Sequence, residues 1–242
     1  MLDKDHSRTH RINATEKAGI KKWILQAVSG WFFYALILFL PAGSFTWRWA
    51  WFLLVILAAM LASHPLLLLP INPSLLAERS KGLRAKGVKN WDQWLTISST
   101  VCMLAGWVVA GLDERFGWSA FPVAWHIFGA VLMVIGYAIF MWAMASNAFF
   151  AEGVRIQTER QHSVCTRGPY RAVRHPGYAG SILSQAATPL LLGSTWTVIP
   201  TLIFIALFVI RTWLEDKTLM KELPGYERYA RSTPNRLIPS IW

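Results

Sequence analysis

The sequence predicts an all-α integral membrane protein with about six transmembrane helices, a C-terminal helical hairpin and an amphipathic cytoplasmic tail. Three observations predict this class. Of the 242 residues, 54% are hydrophobic and only 15% are charged, whereas about 25% are charged in soluble domains. The apolar residues form runs of roughly 17 to 24, long enough to cross a hydrocarbon core of about 30 Å. The chain also carries 14 Trp, and indole rings favour the headgroup level.

Six apolar runs interrupted by few ionisable groups are predicted to be the spans. Residues 1–22 lack the apolar core of a signal peptide, so we expect a cytoplasmic N-terminal segment and a retained first span. Gly193-Ser194-Thr195 alone separates the last two runs, which predicts a tight helical hairpin because so short a connection leaves room for nothing else. The predicted spans are 23–40, 47–69, 91–111, 122–145, 177–192 and 196–214.

Lys and Arg alternate between crowded and sparse extramembrane segments. Successive segments contain six, one, five, one, five, none and six of them, so that 22 of the 24 fall on one side. The positive-inside rule makes that side cytoplasmic, with both termini there. The formal charge of +11 is therefore attributed to topology and to contacts with anionic membrane lipids, and no nucleic-acid partner is expected.

Polar residues that suggest chemistry are densest in 166–180. Gly168-Pro169 predicts a turn, and Pro176 suits the first turn of a helix, where its missing N–H costs nothing. Arg174 and His175 are then expected at the mouth of the fifth span, where free backbone N–H groups and an Arg favour a carboxylate or phosphate. The alternative is that the Arg residues contact lipid phosphates and His175 caps the helix.

A pair of carboxylates, Glu215-Asp216, follows the sixth predicted span, 40 residues after His175. Because the intervening residues form one hairpin, the pair returns to the membrane face that holds Arg174 and His175. Such a site offers anion-binding and cation-binding groups together, as a zwitterionic ligand with ribose hydroxyls requires. The alternative is an ordinary ion pair with Arg211 or Lys217.

The tail, residues 219–242, is predicted to be a short amphipathic cytoplasmic segment. Tyr226 and Tyr229 are three residues apart, hence on one face of a helix. That face suits either covering a cofactor or lying at the headgroups.

Neither a metal site nor a disulfide is predicted. Cys102, in an apolar run, and Cys165, in a basic loop, are too few and too differently placed for a disulfide framework. His64 and His126 lie in different spans, His6 and His10 lie in a polar tail, and none has ligand spacing. We expect His64 to be a packed, hydrogen-bonded side chain.

The polar residues of 146–242 form one ordered set. In chain order they are Asn147, Val154-Arg155-Ile156-Gln157, His162, Gly168-Pro169-Tyr170-Arg171, Val173-Arg174-His175-Pro176, Tyr178, Gly180, Glu215-Asp216, Tyr226, Tyr229, Arg236 and Pro239. This set resembles the isoprenylcysteine carboxyl methyltransferase family, together with the related phospholipid N-methyltransferases. The resemblance is weak before residue 146, where only hydropathy is informative.

The resemblance implies a membrane enzyme that takes S-adenosylmethionine (SAM) from the cytoplasmic side and methylates a lipophilic or lipid-linked acceptor reached through the bilayer. It divides the chain into four transmembrane helices in 23–145 and a methyltransferase core in 146–242. By position, the catalytic residues implied are Arg174, His175 and Glu215. The cofactor-binding residues implied are His175, Pro176, Tyr178, Gly180, Glu215, Asp216, Tyr226 and Tyr229.

The chain departs from the family pattern at a few positions. Asp216 is one methylene shorter than the Glu usual there, so Glu215 is the expected cofactor contact. Gly177 and Ala179 are smaller than the side chains expected between the motif residues, which predicts a looser acceptor channel.

Two other classes of protein stay open. A membrane reductase of the sterol-reductase type, which uses NADPH, shares the hairpin and an Arg-His-Pro motif, but it generally has Asn where this chain has Gly177. A non-catalytic scaffold or transporter is the other class. A transporter should place ionisable residues inside its spans, whereas the predicted spans of this chain contain few of them. The acceptor stays open among a prenylcysteine carboxylate, a phospholipid amine, a thiol and another lipid-like metabolite, and no oligomeric state is predicted.

Overall fold

A computed structural model describes residues 12–242, which are helical and contain no strand. The all-α prediction is thereby confirmed for this range, while residues 1–11 of the predicted N-terminal segment, with His6 and His10, lie outside it. Three 3-10 helices cover Gly82–Arg84, Thr158–Arg160 and Gly168–Arg171. The α-helices are α1 Ala14–Ala42, α2 Arg48–Ile71, α3 Pro73–Arg79, α4 Asn90–Phe116, α5 Val123–Ser146, α6 Pro176–Leu192, α7 Val198–Glu222 and α8 Tyr226–Ser232.

Five helices, α1, α2, α4, α5 and α7, are long and apolar enough to cross a membrane, with 24 to 29 residues each. The protein is therefore a multi-pass membrane protein. The sixth predicted span forms α6, which has only 17 residues. At a rise of 1.5 Å per residue α6 is about 25 Å long, less than the hydrocarbon thickness of about 30 Å. Length and composition thus support five spans, and the predicted number of six is not confirmed.

Helix α6 runs from one end of the bundle to the other and packs mainly against α5 and α7. At its start, His175 lies beside Asp216 of α7, and just beyond its end Ser194 donates to Asp113 near the end of α4, with an Oγ–Oδ2 distance of 2.6 Å. Pro176 occupies the first turn as predicted, and Gly193 ends the helix with a φ of 71°. The turn to α7 spans residues 193–197, two residues more than the predicted connection, so the hairpin forms with a somewhat longer turn.

Helices α5 and α6 pack with their backbones in contact, because glycines remove the side chains between them. A Cβ on Gly136 of α5 would lie 2.6 Å from the carbonyl oxygen of Gly180 and 2.7 Å from the amide nitrogen of Ser184. A Cβ on Gly180 would lie 2.5 Å from the carbonyl oxygen of Gly136. Small residues permit this close approach between membrane helices, which holds α6 against α5.

A buried ion pair connects α4 to α7. Arg211 donates from Nε to Asp92 Oδ1 at 2.6 Å, and from Nη2 to the carbonyl oxygen of Glu152 at 2.7 Å. Asp92 also accepts the backbone N–H of Val154, at 2.7 Å. These bonds hold the segment between α5 and α6 against the end of the bundle where α4 begins.

Helix α7 continues to Glu222, eight residues beyond the predicted span, so Glu215 and Asp216 lie within the helix and do not follow it. The tail after α8 also returns to the bundle. The backbone N–H groups of Arg174 and His175 donate to the carbonyl oxygens of Asn235 and Arg236, both at 2.9 Å. The predicted amphipathic tail is thus packed against the start of α6.

We predict that Gly136→Ala lowers the stability of the protein by about 1 to 3 kcal/mol, the usual cost of overpacking a tight interface. Thermal unfolding in detergent measures it. Gly30→Ala on α1 is the matched control, since nothing lies within 4 Å of a Cβ there and Ala is favoured over Gly in helices by about 0.5 to 1 kcal/mol. Equal stability of the two variants would contradict the close packing of α5 on α6.

Candidate active site

The carboxylate of Asp216, on α7, is bound by groups from three other segments of the chain. Its Oδ1 accepts from Arg174 Nε at 2.8 Å and from the Tyr226 hydroxyl at 2.9 Å. Its Oδ2 accepts from Arg174 Nη2 at 2.9 Å and from Arg236 Nε at 2.8 Å. His175 Nε2 lies 3.4 Å from Oδ1. Asp216 is 3% exposed, so these partners replace water around it.

Arg174, a predicted catalytic residue, is occupied by partners within the protein. Besides its two bonds to Asp216, Nη1 donates to the carbonyl oxygens of Thr233, at 2.9 Å, and Pro234, at 2.8 Å. The pKa of Arg174 is raised, because its bonds to Asp216 outweigh the effect of burial. Arg174 therefore holds the tail and α7 around the start of α6.

A chamber of about 280 Å³ lies beside this cluster. Six of the nine predicted site residues line it, and the other three do not. Asp216 is enclosed by its cationic partners, Gly180 faces α5, and Pro176 forms the first turn of α6. The six lining residues are Arg174, His175, Tyr178, Glu215, Tyr226 and Tyr229.

Glu215 differs from its neighbour Asp216 in having an unpaired oxygen. Its Oε2 is buried without a hydrogen-bond partner among the described residues, and it lies 3.8 Å from His175 Nδ1. A buried carboxylate oxygen left without a donor is costly. Glu215 Oε2 is therefore placed to accept a hydrogen bond from a ligand in the chamber.

The predicted alternative of an ordinary ion pair with Arg211 or Lys217 is not found among residues 12–242. Arg211 pairs with Asp92, and the Lys217 ammonium lies 4.5 Å from the centre of the Trp213 ring.

Aromatic rings form much of the chamber wall. His175 stacks on Tyr178 with ring centroids 5.7 Å apart and an interplanar angle of 7°. Tyr226 and Tyr229 contact each other edge to face at 5.6 Å, as their spacing predicts. Burial raises the pKa of both hydroxyls, so they remain neutral donors, and Tyr229 donates to the carbonyl oxygen of Tyr170 at 2.7 Å.

The segment between α5 and α6 contributes residues that the sequence analysis did not assign to the site. Phe150 fills the space beside Gly177, where a Cβ would lie 2.6 Å from the Phe150 ring. The expectation that Gly177 loosens the channel is therefore wrong, since this glycine admits the Phe150 ring. His162 stacks on Phe149 with centroids 4.5 Å apart, and burial followed by the charge of Arg155 lowers its pKa to about 4.

A second cavity, of about 500 Å³, lies inside the bundle and is lined by α1, α2, α4, α5, α6 and α7. His64, at its wall, stacks on Trp23 and its Nδ1 lies 2.8 Å from the carbonyl oxygen of Met60, in agreement with the packed role predicted for it. The two cavities are adjacent, and the residues that line both mark their junction. The residues that line both are Arg79, Thr96, Phe140, Glu152, Ser181 and Phe208.

The fold and site define a multi-pass membrane protein with a chamber lined by aromatic and charged side chains at one end of its bundle and a larger cavity within the bundle. Residues 129–221 match the family model described as "Isoprenylcysteine carboxyl methyltransferase (ICMT) family". The resemblance predicted from the motif residues is thereby confirmed. Tyr226, Tyr229, Arg236 and Pro239 lie beyond the matched residues.

Similar proteins carry the same family name. The chain is 28% identical over 112 residues to proteins of Oryza sativa subsp. indica and subsp. japonica, each named "Probable protein-S-isoprenylcysteine O-methyltransferase". It is 23% identical over 111 residues to "Protein-S-isoprenylcysteine O-methyltransferase B" of Arabidopsis thaliana. These matches cover 45% of this chain, 59% of each rice protein and 56% of the Arabidopsis protein.

We predict different effects for two neutralising substitutions at adjacent positions. Asp216→Asn should lower stability by about 3 kcal/mol or more, because it leaves two guanidinium groups without their buried counter-charge. Glu215→Gln removes a carboxylate whose Oε2 has no hydrogen-bond partner among the described residues, so stability should change by less than about 1 kcal/mol. Thermal unfolding of both variants in one detergent decides this, and equal losses would show that Asp216 is not the structural carboxylate.

Proposed function

We propose that the protein is a SAM-dependent membrane methyltransferase that acts on a lipophilic acceptor. The observation that carries the proposal is the unpaired Glu215 oxygen, buried at a chamber that shares lining residues with a cavity inside the bundle. The match of residues 129–221 to a methyltransferase family supports the same reaction class. The sterol-type reductase and the non-catalytic alternatives are not favoured by that match.

The chamber residues fit the chemistry of SAM. The cofactor carries an ammonium group and ribose hydroxyls, which are donors that Glu215 is placed to accept. Flat faces of Tyr226, Tyr229 and the stacked pair His175–Tyr178 suit an adenine ring. When bound, SAM supplies an electrophilic methyl group on a sulfonium. No residue of the chain has to form a covalent bond with it.

The contribution of the protein to such a reaction is positioning and exclusion of water. Methyl transfer is an in-line displacement, and correct placement of two reactants provides roughly 7 to 11 kcal/mol in the best intramolecular cases. The Asp216 cluster fixes His175 and Tyr226, while the junction of the two cavities is where the acceptor would reach the methyl group. The acceptor would enter its cavity from the hydrocarbon side of the bundle.

Arg79, at that junction, is placed to hold an anionic group of the acceptor. Its side chain is 10% exposed, Nη2 is 3.5 Å from Glu152 Oε1, and Nη1 donates to the carbonyl oxygen of Phe150 at 3.4 Å. Nε has no partner among the described residues. A buried guanidinium with long bonds and a free donor favours a carboxylate. A prenylcysteine-like carboxylate therefore suits this site better than a phospholipid amine.

We predict that S-adenosylhomocysteine binds the detergent-purified protein and that NADPH does not. Glu215→Gln should weaken S-adenosylhomocysteine roughly 10-fold or more, the effect of losing a hydrogen bond to a charged group. Isothermal titration calorimetry measures both ligands. Glu227→Gln is the control, because Glu227 is exposed on α8 and pairs with Arg231. Saturable NADPH binding without S-adenosylhomocysteine binding would favour the reductase.

We also propose that both termini are cytoplasmic, with the five long helices and the shorter α6, which runs from one end of the bundle to the other, making six passes. The 22 cations of the rich segments support this orientation. So does the placement of the tail, which bonds to Arg174 and His175, at the end of the bundle where α1 begins and Gly19 packs on Ala77 of α3.

Cysteine labelling tests this topology. In a background with Cys102 and Cys165 replaced by Ala, we expect Ala120→Cys and Arg228→Cys, both at exposed positions, to react from opposite sides of the membrane. Labelling of both from one side would contradict the proposed topology.

A further inference from the structure

Gln185 is a polar side chain deep in the inner cavity, within the bundle of membrane helices. It lies on α6, is 6% exposed, and lines the cavity. Its Nε2 has no hydrogen-bond partner among the described residues. An unpaired amide N–H inside a membrane protein is costly. We therefore expect Gln185 Nε2 to donate to a bound ligand, because the described residues provide no acceptor for it.

The cavity that contains Gln185 has more polar side chains in its lining than the binding of a plain hydrocarbon chain requires. Trp107, 3% exposed, lines the same cavity, and its indole Nε1 also has no partner among residues 12–242. The hydroxyl-bearing side chains Tyr34, Tyr137 and Ser99 line it as well. They come from α1, α5 and α4, so the polar lining is a property of the cavity and not of one helix.

The distance along α6 places Gln185 at a defined depth. Ser181 lies at the junction with the chamber, and Gln185 is one helical turn further, about 6 Å deeper. Tyr178, in the chamber wall, is seven residues before Gln185, or about 10 Å along the axis. A ligand whose reacting end lies near Tyr178 would therefore bring a group about 10 Å away beside Gln185.

We propose that the inner cavity binds an amphiphile with oxygen at both ends: an anionic or nucleophilic head at the junction, and a second oxygen function, a hydroxyl or carbonyl, at Gln185. The identification of this amphiphile as the methyl acceptor rests on the proposed function. A plain prenyl chain leaves the Gln185 amide unpaired. A hydroxyl pairs with either atom of that amide, since it both donates and accepts.

Matched pairs of fatty acids test the proposal. Dissociation constants of hexanoate, octanoate, decanoate and dodecanoate are compared with those of their ω-hydroxy derivatives by isothermal titration calorimetry in one detergent. We expect the hydroxyl to strengthen binding about 5-fold to 10-fold at one intermediate chain length, where it reaches Gln185. At chain lengths that do not bring the hydroxyl to Gln185, this gain should be absent.

Three variants locate the effect. Gln185→Leu and Gln185→Met should abolish or reverse the hydroxyl preference, and the use of two replacements covers the case in which one fails to fold. Thr188→Val is the matched control, because Thr188 lies one turn further on α6 and its hydroxyl already donates to the carbonyl oxygen of Ser184. It should retain the preference.

The outcomes separate this proposal from the proposed function. A wild-type protein that binds S-adenosylhomocysteine but shows no hydroxyl preference at any length overturns the proposal alone. So does a preference that survives in both Gln185 variants. A Gln185-dependent preference without S-adenosylhomocysteine binding supports the polar amphiphile site and contradicts the methyltransferase.

Discussion

The ion cluster around Asp216 is the interaction on which the rest of the site depends. One buried carboxylate accepts bonds from Arg174, Arg236 and Tyr226, and these residues come from the segment before α6, the tail and α8. Removing water from so many charges costs free energy. That cost is offset only when the charged groups form ion pairs and hydrogen bonds with one another in a single geometry. The cluster therefore couples the tail and α8 to the α6–α7 hairpin, and through them it sets the positions of the chamber walls.

The division between Glu215 and Asp216 follows from helix geometry. Adjacent residues on a helix of 3.6 residues per turn point about 100° apart, so the two carboxylates point in different directions. Both approach His175, but at different ring nitrogens, Asp216 at Nε2 and Glu215 at Nδ1. Asp216 faces the cations of the start of α6 and the tail, while Glu215 faces the chamber. A pair of neighbouring acidic residues thus provides one structural anion and one ligand-facing anion. The shorter side chain of Asp216 suits the enclosed position.

The sequence predicted the elements that have a strong local signal. Long apolar runs specify five of the helices, Pro176 marks the first turn of α6, and the three-residue separation of the last two runs predicts the hairpin. Side chains that reach the site from distant segments have no such signal. Arg79 lies on the seven-residue helix α3 and meets Phe150 only through the tertiary fold. The tail joins the site through Arg236 and also through two backbone bonds to residues 174 and 175, and no side-chain pattern encodes those backbone bonds.

The two halves of the chain contribute different properties to the same pair of cavities. The chamber is built largely from residues after α5, within or close to the segment that matches the family. The inner cavity also needs Tyr34 of α1 and Trp107 of α4, both outside that segment. Residues that serve a reaction common to a family can thus be separate from residues that select one ligand. Substitutions in α1, α2 and α4 can change the inner cavity, while the Asp216 cluster keeps the chamber intact. Helix α6 belongs to both, because its first turn carries Tyr178 at the chamber and a later turn carries Gln185 in the inner cavity.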